Sequence, residues 1–387
     1  MKTIQYSEKE RTSKQEGIYQ HYYDKFDENE YKEAYVVLFI GRVGDGKTKA
    51  INAFFNIVKG IKLEEKFRYI LIEEPEKKEG QNVSQTTGIH LHYIKDYNNK
   101  PIIIIDSEGY ANAKGYFEDI YITKSFCYVF SNLIDHINAV CFTAKGIYNR
   151  LDNLTKYIFN CVTNLFSEDI NGNFIILCSF ANMDTIQEGP KYIETMEYNE
   201  DFLNIKKRMG EKYWYAFDSR CLLDDDEIYK LTIFSYEQMY KLYEEKIKKL
   251  TPKAIKESID IINSRESLKL QANDLWATFK DLFNEENSKE KDNINNKMKI
   301  KIMKLQALYN KIKEKGLNKN QIKVEIEYID YLISLKLEDD YRDREGIEKL
   351  KDVNKINNLI KNIVKIPQEE LLNINANDFI KNYAKYF

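Results

Sequence analysis

The sequence predicts an α/β fold in which helices cover both faces of a mostly parallel sheet, followed by an all-helical extension. From residue 34 to about residue 221, short apolar runs alternate with helical stretches, which is the order that forms a parallel sheet. After residue 224, apolar residues recur three and four positions apart, while glycine and proline nearly vanish. We therefore expect an N-terminal leader at residues 1–33, an α/β domain at residues 34–250 and a helical, coiled-coil-like domain at residues 251–387.

Six apolar runs are the expected strands. Four of them are nearly all apolar, as strands buried on both faces should be. The run at residues 89–94 alternates instead and places His90 and His92 on one side, which predicts a strand with one wetter face. The remaining runs lie at residues 35–40, 101–106, 137–142, 173–180 and 213–217.

Two narrow apolar stripes mark the helical half, and both follow a 4-3-4-3 spacing. They predict helices that pack on each other or on the α/β domain, or alternatively a surface for dimerisation or for a protein partner. The first stripe comprises Leu268, Ala272, Leu275, Phe279 and Leu282, and the second Met298, Ile302, Leu305, Tyr309 and Ile312.

Composition and charge limit the classes of function. The chain has 387 residues, of which 43% are hydrophobic, so it can build a core. Basic residues number 59 against 62 acidic ones, and this balance argues against nucleic acid as a partner. No apolar run approaches the ~18 residues of a transmembrane segment, and the N-terminus has no signal-peptide pattern. Five scattered cysteines favour a reducing compartment, so we expect a cytoplasmic protein.

Residues 41–48, GRVGDGKT, match the phosphate-binding pattern GxxxxGK[ST]. In this pattern backbone N–H groups surround the phosphates, the lysine reaches the β and γ oxygens, and the hydroxyl ligates Mg²⁺. A helix that begins here would point its N-terminus at the anion. The predicted nucleotide-binding residues are Gly41, Arg42, Val43, Gly44, Asp45, Gly46, Lys47, Thr48 and Lys49.

The order of the downstream motifs favours a GTPase over other phosphate-loop proteins. Asp106 and Gly109 form a DxxG motif directly after an apolar run; the aspartate would hold the magnesium shell and the glycine N–H would sense the γ-phosphate. Between the two motifs, Thr86 is the expected switch threonine on Mg²⁺, with Thr87 as the alternative. The predicted metal ligands are thus Thr48, Thr86 and Asp106, and the predicted catalytic residues Lys47, Thr86, Gly109 and Arg42.

These segments resemble the septin-like branch of P-loop GTPases that includes the immunity-associated (avirulence-induced) GTPases. The resemblance covers residues 36 to about 223 and rests on GRVGDGKTKAINAFFN, SQTTGIHLHY, IIIIDSEGY, RLDNLTKYIFNCVTNLFSEDINGNFIILCSFAN and FDSRCLL. TTGI and DSEG also look like guanylate-binding proteins. The resemblance implies GTP and GDP as ligands, Mg²⁺, slow hydrolysis and a homodimer formed across the nucleotide face.

The chain departs from this family at the base-reading motif. Guanine is normally selected by the aspartate of an [NT]KxD segment, which accepts hydrogen bonds from the base. Aligned on this segment, Asn182 occupies the aspartate position and could accept through its carbonyl oxygen. Asp184 is the alternative. In the later loop, Arg220 or Cys221 would offer a backbone N–H to the guanine carbonyl.

The second departure concerns hydrolysis. Tyr110 follows the DxxG motif where many small GTPases have a water-orienting glutamine, which predicts slow turnover or help from another subunit. Arg42 could act on the phosphates in cis, reach toward a dimer partner, or be a surface arginine. Glu108 could place water or cap the turn. The alternatives to a GTP-hydrolysing switch are a non-hydrolysing scaffold that assembles through its helical tail and an ATP-using P-loop protein.

Overall fold

The computed structural model describes residues 2–15, 17–73, 88–110, 116–148, 152–163, 165–193, 200–223, 229–315, 326, 329–330, 344–373 and 375–383. The chain divides into two compact units, Met1–Ile259 and Asp260–Phe387. The first unit contains a mostly parallel sheet with its helices, and the second is helical. The predicted fold class is confirmed.

The main sheet has eight strands within the described part of the chain, in the order β11-β10-β9-β4-β7-β6-β3-β2. Neighbouring strands are parallel except for β6 with β7 and β2 with β3. The six predicted apolar runs all contribute strands to it. The strands of the structure are β1 Lys2–Gln5, β2 Glu10–Gln15, β3 Ile18–Tyr22, β4 Tyr35–Gly41, β5 Phe67–Ile70, β6 Ile89–Lys95, β7 Pro101–Ser107, β8 His136–Ile137, β9 Ala139–Lys145, β10 Phe174–Ser179, β11 Trp214–Ala216 and β12 Lys253–Ala254.

Helices pack on both faces of this sheet because successive residues of a buried strand point to opposite sides. On one face, Val37 and Phe39 of β4 share a buried cluster with Phe54 and Phe55 of the helix that follows. The helices are α1 Glu28–Glu33, α2 Lys47–Val58, α3 Tyr116–Asn132, α4 Asn153–Thr163, α5 Met183–Glu188, α6 Glu200–Met209, α7 Ser219–Leu223, α8 Tyr229–Tyr240, α9 Lys256–Asn284, α10 Ser288–Lys315, α11 Arg344–Ile363, α12 Gln368–Asn373 and α13 Ala376–Tyr383, with a π-helix at Lys241–Lys246 and short 3-10 helices at Glu168–Asn173 and Ile247–Lys249.

On the other face, Phe142 of β9 meets Phe159 of α4, with ring centroids 5.3 Å apart. The carboxyl ends of β4, β7, β9 and β10 therefore lie between two helical layers. Ligands of open α/β sheets bind at this edge of the strands.

The N-terminal residues, expected to be a leader, take part in the main sheet. Strands β2 and β3 form an antiparallel hairpin, and β3 pairs in parallel with β6.

The pairing of β3 with β6 also buries His92, which is 3% exposed, so the expectation of a wetter face at this residue is wrong. The rings of His21 and Tyr23 cover it at centroid distances of 4.8 and 5.9 Å. The alternation of residues within β6 could not reveal that a neighbouring strand from elsewhere in the chain places aromatic side chains on His92.

The second unit buries both predicted stripes in one apolar cluster, together with Leu359, Ile360 and Ile363 of α11. The stripes thus form the core of the unit itself, and Tyr309 is the one stripe residue that is only partly buried. Gln306 supports the packing, since its Nε2 donates to the carbonyls of Ile363 and Ile366. Within the described residues, no helix is both long and apolar enough to cross a membrane.

Candidate nucleotide site

The loop between β4 and α2 has the backbone geometry that a phosphate-binding loop requires. Gly41, Gly44 and Gly46 have φ angles of 158°, 81° and 79°, which side-chain-bearing residues rarely adopt. At Gly41 a Cβ atom would lie 2.3 Å from the carbonyl oxygen of Thr143. Only glycine lets β4 approach β9 this closely just before the loop turns.

The N-terminus of α2 is free to bind an anion. Gly46 is its N-cap residue and offers no side-chain cap, so within the described part of the chain the first amide groups of this twelve-residue helix have neither a side-chain nor an intrahelical acceptor. The partial positive charge of a helix N-terminus attracts phosphate. Thr48 and Lys49 lie in this first turn and are half-buried, and the Thr48 hydroxyl makes no hydrogen bond to a described residue.

Lys47 is buried beneath the loop. Its Nζ donates to the carbonyl oxygens of Arg42 at 3.0 Å and Gly41 at 3.4 Å. An ammonium group has three donors, so one remains for a ligand oxygen. Burial lowers the pKa of Lys47. Three carboxylates oppose this shift and favour the charged form, those of Asp106, Asp45 and Glu108.

Asp106 lies at the carboxyl end of β7, and it is paired in register with Phe39 of β4. Its side chain is buried, at 1% exposure. This places the DxxG aspartate beside the strand that leads into the phosphate-binding loop, as the sequence order requires. The predicted metal ligand Thr86, and its alternative Thr87, lie outside the described residues.

Asp45 contributes a charge that sequence reasoning overlooked, because it was assigned only a backbone role. Its side chain is 1% exposed, and Oδ1 accepts a hydrogen bond from the Tyr148 hydroxyl at 3.4 Å. Burial raises the pKa of this carboxyl to about 6. The Asp45 carbonyl in turn accepts from Ser179 Oγ at 2.6 Å, which fastens the loop to the end of β10.

Arg42 pairs with the first turn of α4. Its Nη1 lies 3.2 Å from Asp152 Oδ2, and Asp152 also accepts from the amide of Thr155. The guanidinium is therefore held at this helix N-terminus. The geometry lends no support to a cis role on the phosphates, whereas an exposed ion pair of this kind can open at little cost in free energy.

The segment after Asp106 is hydrogen-bonded to the phosphate-binding loop. The Tyr110 amide donates to the Gly41 carbonyl at 3.1 Å, and the Val43 amide donates to the Tyr110 carbonyl at 3.1 Å. Gly109 lies directly against Val43, where a Cβ atom would be 2.5 Å from the Val43 nitrogen. The Tyr110 side chain is completely buried, with its hydroxyl 3.5 Å from Thr123 Oγ1 of α3.

The expected base-reading residues behave differently from one another. Asn182 caps α5, since its Oδ1 accepts from both the amide and the hydroxyl of Thr185, each at 2.8 Å. The atom facing an amide N–H must be the oxygen, so the capping fixes the orientation of the side chain. Both acceptor positions of this oxygen are used. The expectation that it accepts from guanine therefore conflicts with the structure, whereas the Asp184 carboxylate is exposed in the first turn of α5.

The later loop shows a similar conflict at Arg220. Its backbone N–H, expected to face a guanine carbonyl, instead donates to Asp218 Oδ1 at 2.9 Å. Asp218 is buried and was not identified from the sequence, although it lies within the FDSR segment. Of the two backbone N–H groups predicted to donate to the guanine carbonyl, that of Cys221 is the remaining candidate.

Phe180 is a further residue that sequence reasoning missed. It has a φ of 50°, and its ring lies over Gly46, where a Cβ atom would meet Phe180 Cε2 at 3.0 Å. The Lys145 Nζ and the Arg220 Cζ lie 5.6 and 5.8 Å from the ring centroid. These contacts are cation–π interactions at the edge of the phosphate-binding loop. The sequence feature that could have identified Phe180 is its position in the segment SFAN, residues 179–182.

His90 and His92 acquire a third histidine in the fold, because β3 places His21 beside them. His21 Nε2 lies 2.8 Å from His90 Nδ1, and the three rings are stacked nearly parallel. Parallel stacked rings do not converge on one ion. Accordingly, no group of three or more His, Cys, Asp or Glu side chains within the described ranges could hold a metal.

The chain matches no protein-family model and no curated protein. Among solved structures, it is similar to Toc33 from Arabidopsis thaliana in complex with Mg²⁺ and GMPPNP, at 13% identity, with coverage of 58% of this chain and 88% of that chain and a TM-score of 0.39. It is also similar to a structure of the chloroplast translocon components atToc33 and psToc159, for whose GTPase activity dimerisation is described as important (15% identity, 55% and 85% coverage, TM-score 0.33). A third is translation elongation factor SelB from Methanococcus maripaludis in its apo form (13%, 53% and 33%, TM-score 0.28). Similarities this low assign no role to any residue of this chain.

Proposed function

We propose that this protein binds GTP with Mg²⁺ at residues 41–48 and hydrolyses it slowly, as a nucleotide-dependent switch. The uncapped N-terminus of α2 beside the buried Lys47 is the observation that carries the proposal. Free amide groups, the dipole of a twelve-residue helix and a partly unsatisfied ammonium converge on one loop. A phosphate group of a nucleotide can use all three.

The charges around Lys47 favour a magnesium-bound nucleotide over a bare one. Asp45 and Asp106 are both buried near one ammonium group. A polyphosphate brought into such a site would meet an excess of negative charge, which a divalent cation offsets. Mg²⁺ neutralises the β and γ oxygens when bound, and it commonly takes only one or two protein carboxylates. Thr48 and Asp106 would hold it together with Thr86.

Guanine selection would fall to Asp184 and to the loop around Phe180. A carboxylate can accept from both donors of guanine, and adenine presents no such pair. Asp184 is the exposed carboxylate closest in sequence to the expected position, and Asn182 fixes the helix turn that carries it. The resemblance to septin-like and immunity-associated GTPases also supports guanine.

Slow hydrolysis follows from what replaces the usual glutamine. The side chain of Tyr110 is buried against α3, so it does not present a group that could orient water. A second copy of the chain would supply stabilisation of the transition state for hydrolysis. Arg42 is the candidate residue, once its ion pair with Asp152 has opened. This dimer is proposed by resemblance to nucleotide-controlled relatives.

The first test is nucleotide binding by full-length Lys47→Ala. We expect the wild type to be stabilised by GTP and Mg²⁺ by about 2.7 kcal/mol at a hundredfold excess over Kd, with a smaller effect of ATP. Lys47→Ala should lose this response, whereas the control Lys62→Ala, at an exposed position after α2, should keep it. Wild-type affinity in Lys47→Ala would refute the site, and an equal response to ATP would refute the base preference.

A non-hydrolysing scaffold is the second candidate, and the burial of Tyr110 together with the Arg42–Asp152 pair favours it. Single-turnover phosphate release, measured over a range of protein concentrations, separates the two functions. A release rate that rises with concentration is expected for a switch completed by dimerisation. Nucleotide binding without phosphate release at any protein concentration would favour the scaffold function.

A further inference from the structure

We propose that Glu108 is a positioning residue, which fixes Gly88 directly after the two candidate switch threonines and thereby sets the magnesium site. The inference rests on the proposed function, because it assigns Thr86 or Thr87 to the metal. Glu108 lies inside the DSEG motif, where the sequence left it either to place water or to cap a turn. The contacts of its backbone and side chain favour neither.

Glu108 and Gly88 are joined by two hydrogen bonds. The Gly88 amide donates to Glu108 Oε2 at 3.0 Å, and the Glu108 amide donates to the Gly88 carbonyl at 2.8 Å. Glu108 is 2% exposed, so this bond is shielded from water. A hydrogen bond contributes about 0.5 to 1.5 kcal/mol, and its loss would leave a buried amide N–H unsatisfied at a cost of about 1 to 3 kcal/mol.

Gly88 is also held from the opposite side by the N-terminal hairpin. Its φ is 85°, and a Cβ atom on Gly88 would lie 2.1 Å from the carbonyl oxygen of Gly17. The same carbonyl accepts from the Ile89 amide at 2.8 Å. Gly88 is therefore held between Gly17 and Glu108, an arrangement that we call the clamp.

The clamp is continuous with the phosphate-binding loop. Gly109 follows Glu108 and lies against Val43, and the Tyr110 backbone pairs with Gly41 and Val43. Main-chain contacts thus run from the β2–β3 hairpin through Gly88 and Glu108 to the loop. A shift of the DSEG turn on nucleotide binding would move Gly88 through the same contacts.

Two substitutions distinguish the effect of the length of the Glu108 side chain from the effect of its charge. Glu108→Gln keeps the length and an acceptor oxygen but removes the charge, whereas Glu108→Asp keeps the charge and shortens the side chain by one methylene group. Hydrogen exchange of the full-length, nucleotide-free protein measures the clamp itself, through the peptide that contains Gly88. We expect exchange in that peptide to be near wild type in Glu108→Gln and about tenfold faster or more in Glu108→Asp.

The second readout is the Mg²⁺ concentration that gives half-maximal GTP hydrolysis. It should rise about tenfold or more in Glu108→Asp, as it does when groups that orient metal ligands are removed, and stay near wild type in Glu108→Gln. A loss of turnover in Glu108→Gln with unchanged exchange would overturn the proposal, since the charge of Glu108, and not its hold on Gly88, would then support the reaction. Accelerated exchange in Glu108→Gln would also overturn it. Failure of the wild type to bind GTP would refute the proposed function, while the exchange experiment would still decide whether Glu108 holds Gly88.

Discussion

Gly109 lies so close to Val43 that a Cβ atom on Gly109 would be 2.5 Å from the Val43 nitrogen and 2.7 Å from its Cα. Both of these atoms belong to the backbone, so no rotation of a side chain could relieve the overlap. The DSEG turn and the phosphate-binding loop are therefore in van der Waals contact because residue 109 has no side chain. The same approach would let the glycine N–H sense a phosphate bound in the loop.

Gly109→Ala should accordingly weaken GTP binding about tenfold or more, by forcing the Tyr110 backbone away from Gly41 and Val43. Isothermal titration with GTP and GDP measures this change. Gly172→Ala is the control, since its Cβ would approach only the Arg208 carbonyl, at 3.1 Å. Unchanged GTP affinity in Gly109→Ala would show that the contact does not shape the site.

Asn182→Asp should improve the preference for GTP over ATP. One carboxylate oxygen would continue to cap α5, and the other would replace an amide group that can only donate, giving guanine an ionised acceptor worth about 1.5 to 3 kcal/mol. Competition between GTP and ATP measures the preference. Asn182→Ala serves as the comparison and should cost about 1 kcal/mol of stability through loss of the cap. The same preference in Asn182→Asp as in wild type would mean that this residue does not face the base.

Asp45 predicts an unusual dependence of stability on pH. Its carboxyl ionises near pH 3.8 in the unfolded chain and near pH 6 in the folded protein, because burial disfavours the charge. The folded state thus binds the proton more tightly, so the contribution of this group to the free energy of unfolding falls as pH rises from about 4 to about 6. Asp45→Asn should be more stable than wild type at pH 7, by at most about 3 kcal/mol, and should lose that advantage near pH 4. Urea unfolding of both proteins across this range measures the difference, and a gap independent of pH would contradict the prediction.

The helical unit can be tested at two leucines of α9. Leu275 is fully buried and Leu270 is 68% exposed. Leu275→Ala should destabilise the full-length protein by about 2 to 5 kcal/mol through loss of apolar contact and the resulting cavity. Leu270→Ala should cost less than about 0.5 kcal/mol. Comparable losses at the two positions, in chemical denaturation, would mean that the buried stripe is not the core of this unit.

The backbone shape of the loop at residues 41–48 could be predicted from the sequence alone because its requirements are local. A buried strand, glycines at positions 41, 44 and 46 and a lysine at the start of a helix are neighbours in the chain. The same holds for the apolar runs of the strands and for the stripes of α9 and α10, whose periodicity is a property of each segment. The binding and catalytic roles of all the predicted site residues are still predictions.

Only the tertiary structure could decide which partner each polar side chain takes. Arg42 pairs with Asp152, and Glu108, expected to place water or cap a turn, accepts a hydrogen bond from Gly88. These partners are 110 and 20 residues away along the chain, whereas the Asn182 cap on Thr185 is a contact within one segment. Local pattern determined where the backbone turns at residues 41–46 and where α2 begins, since those depend on steric freedom and helix geometry. Hydrogen-bond partnership depends on which segments the fold brings within 3 Å, and one segment's sequence does not contain that information.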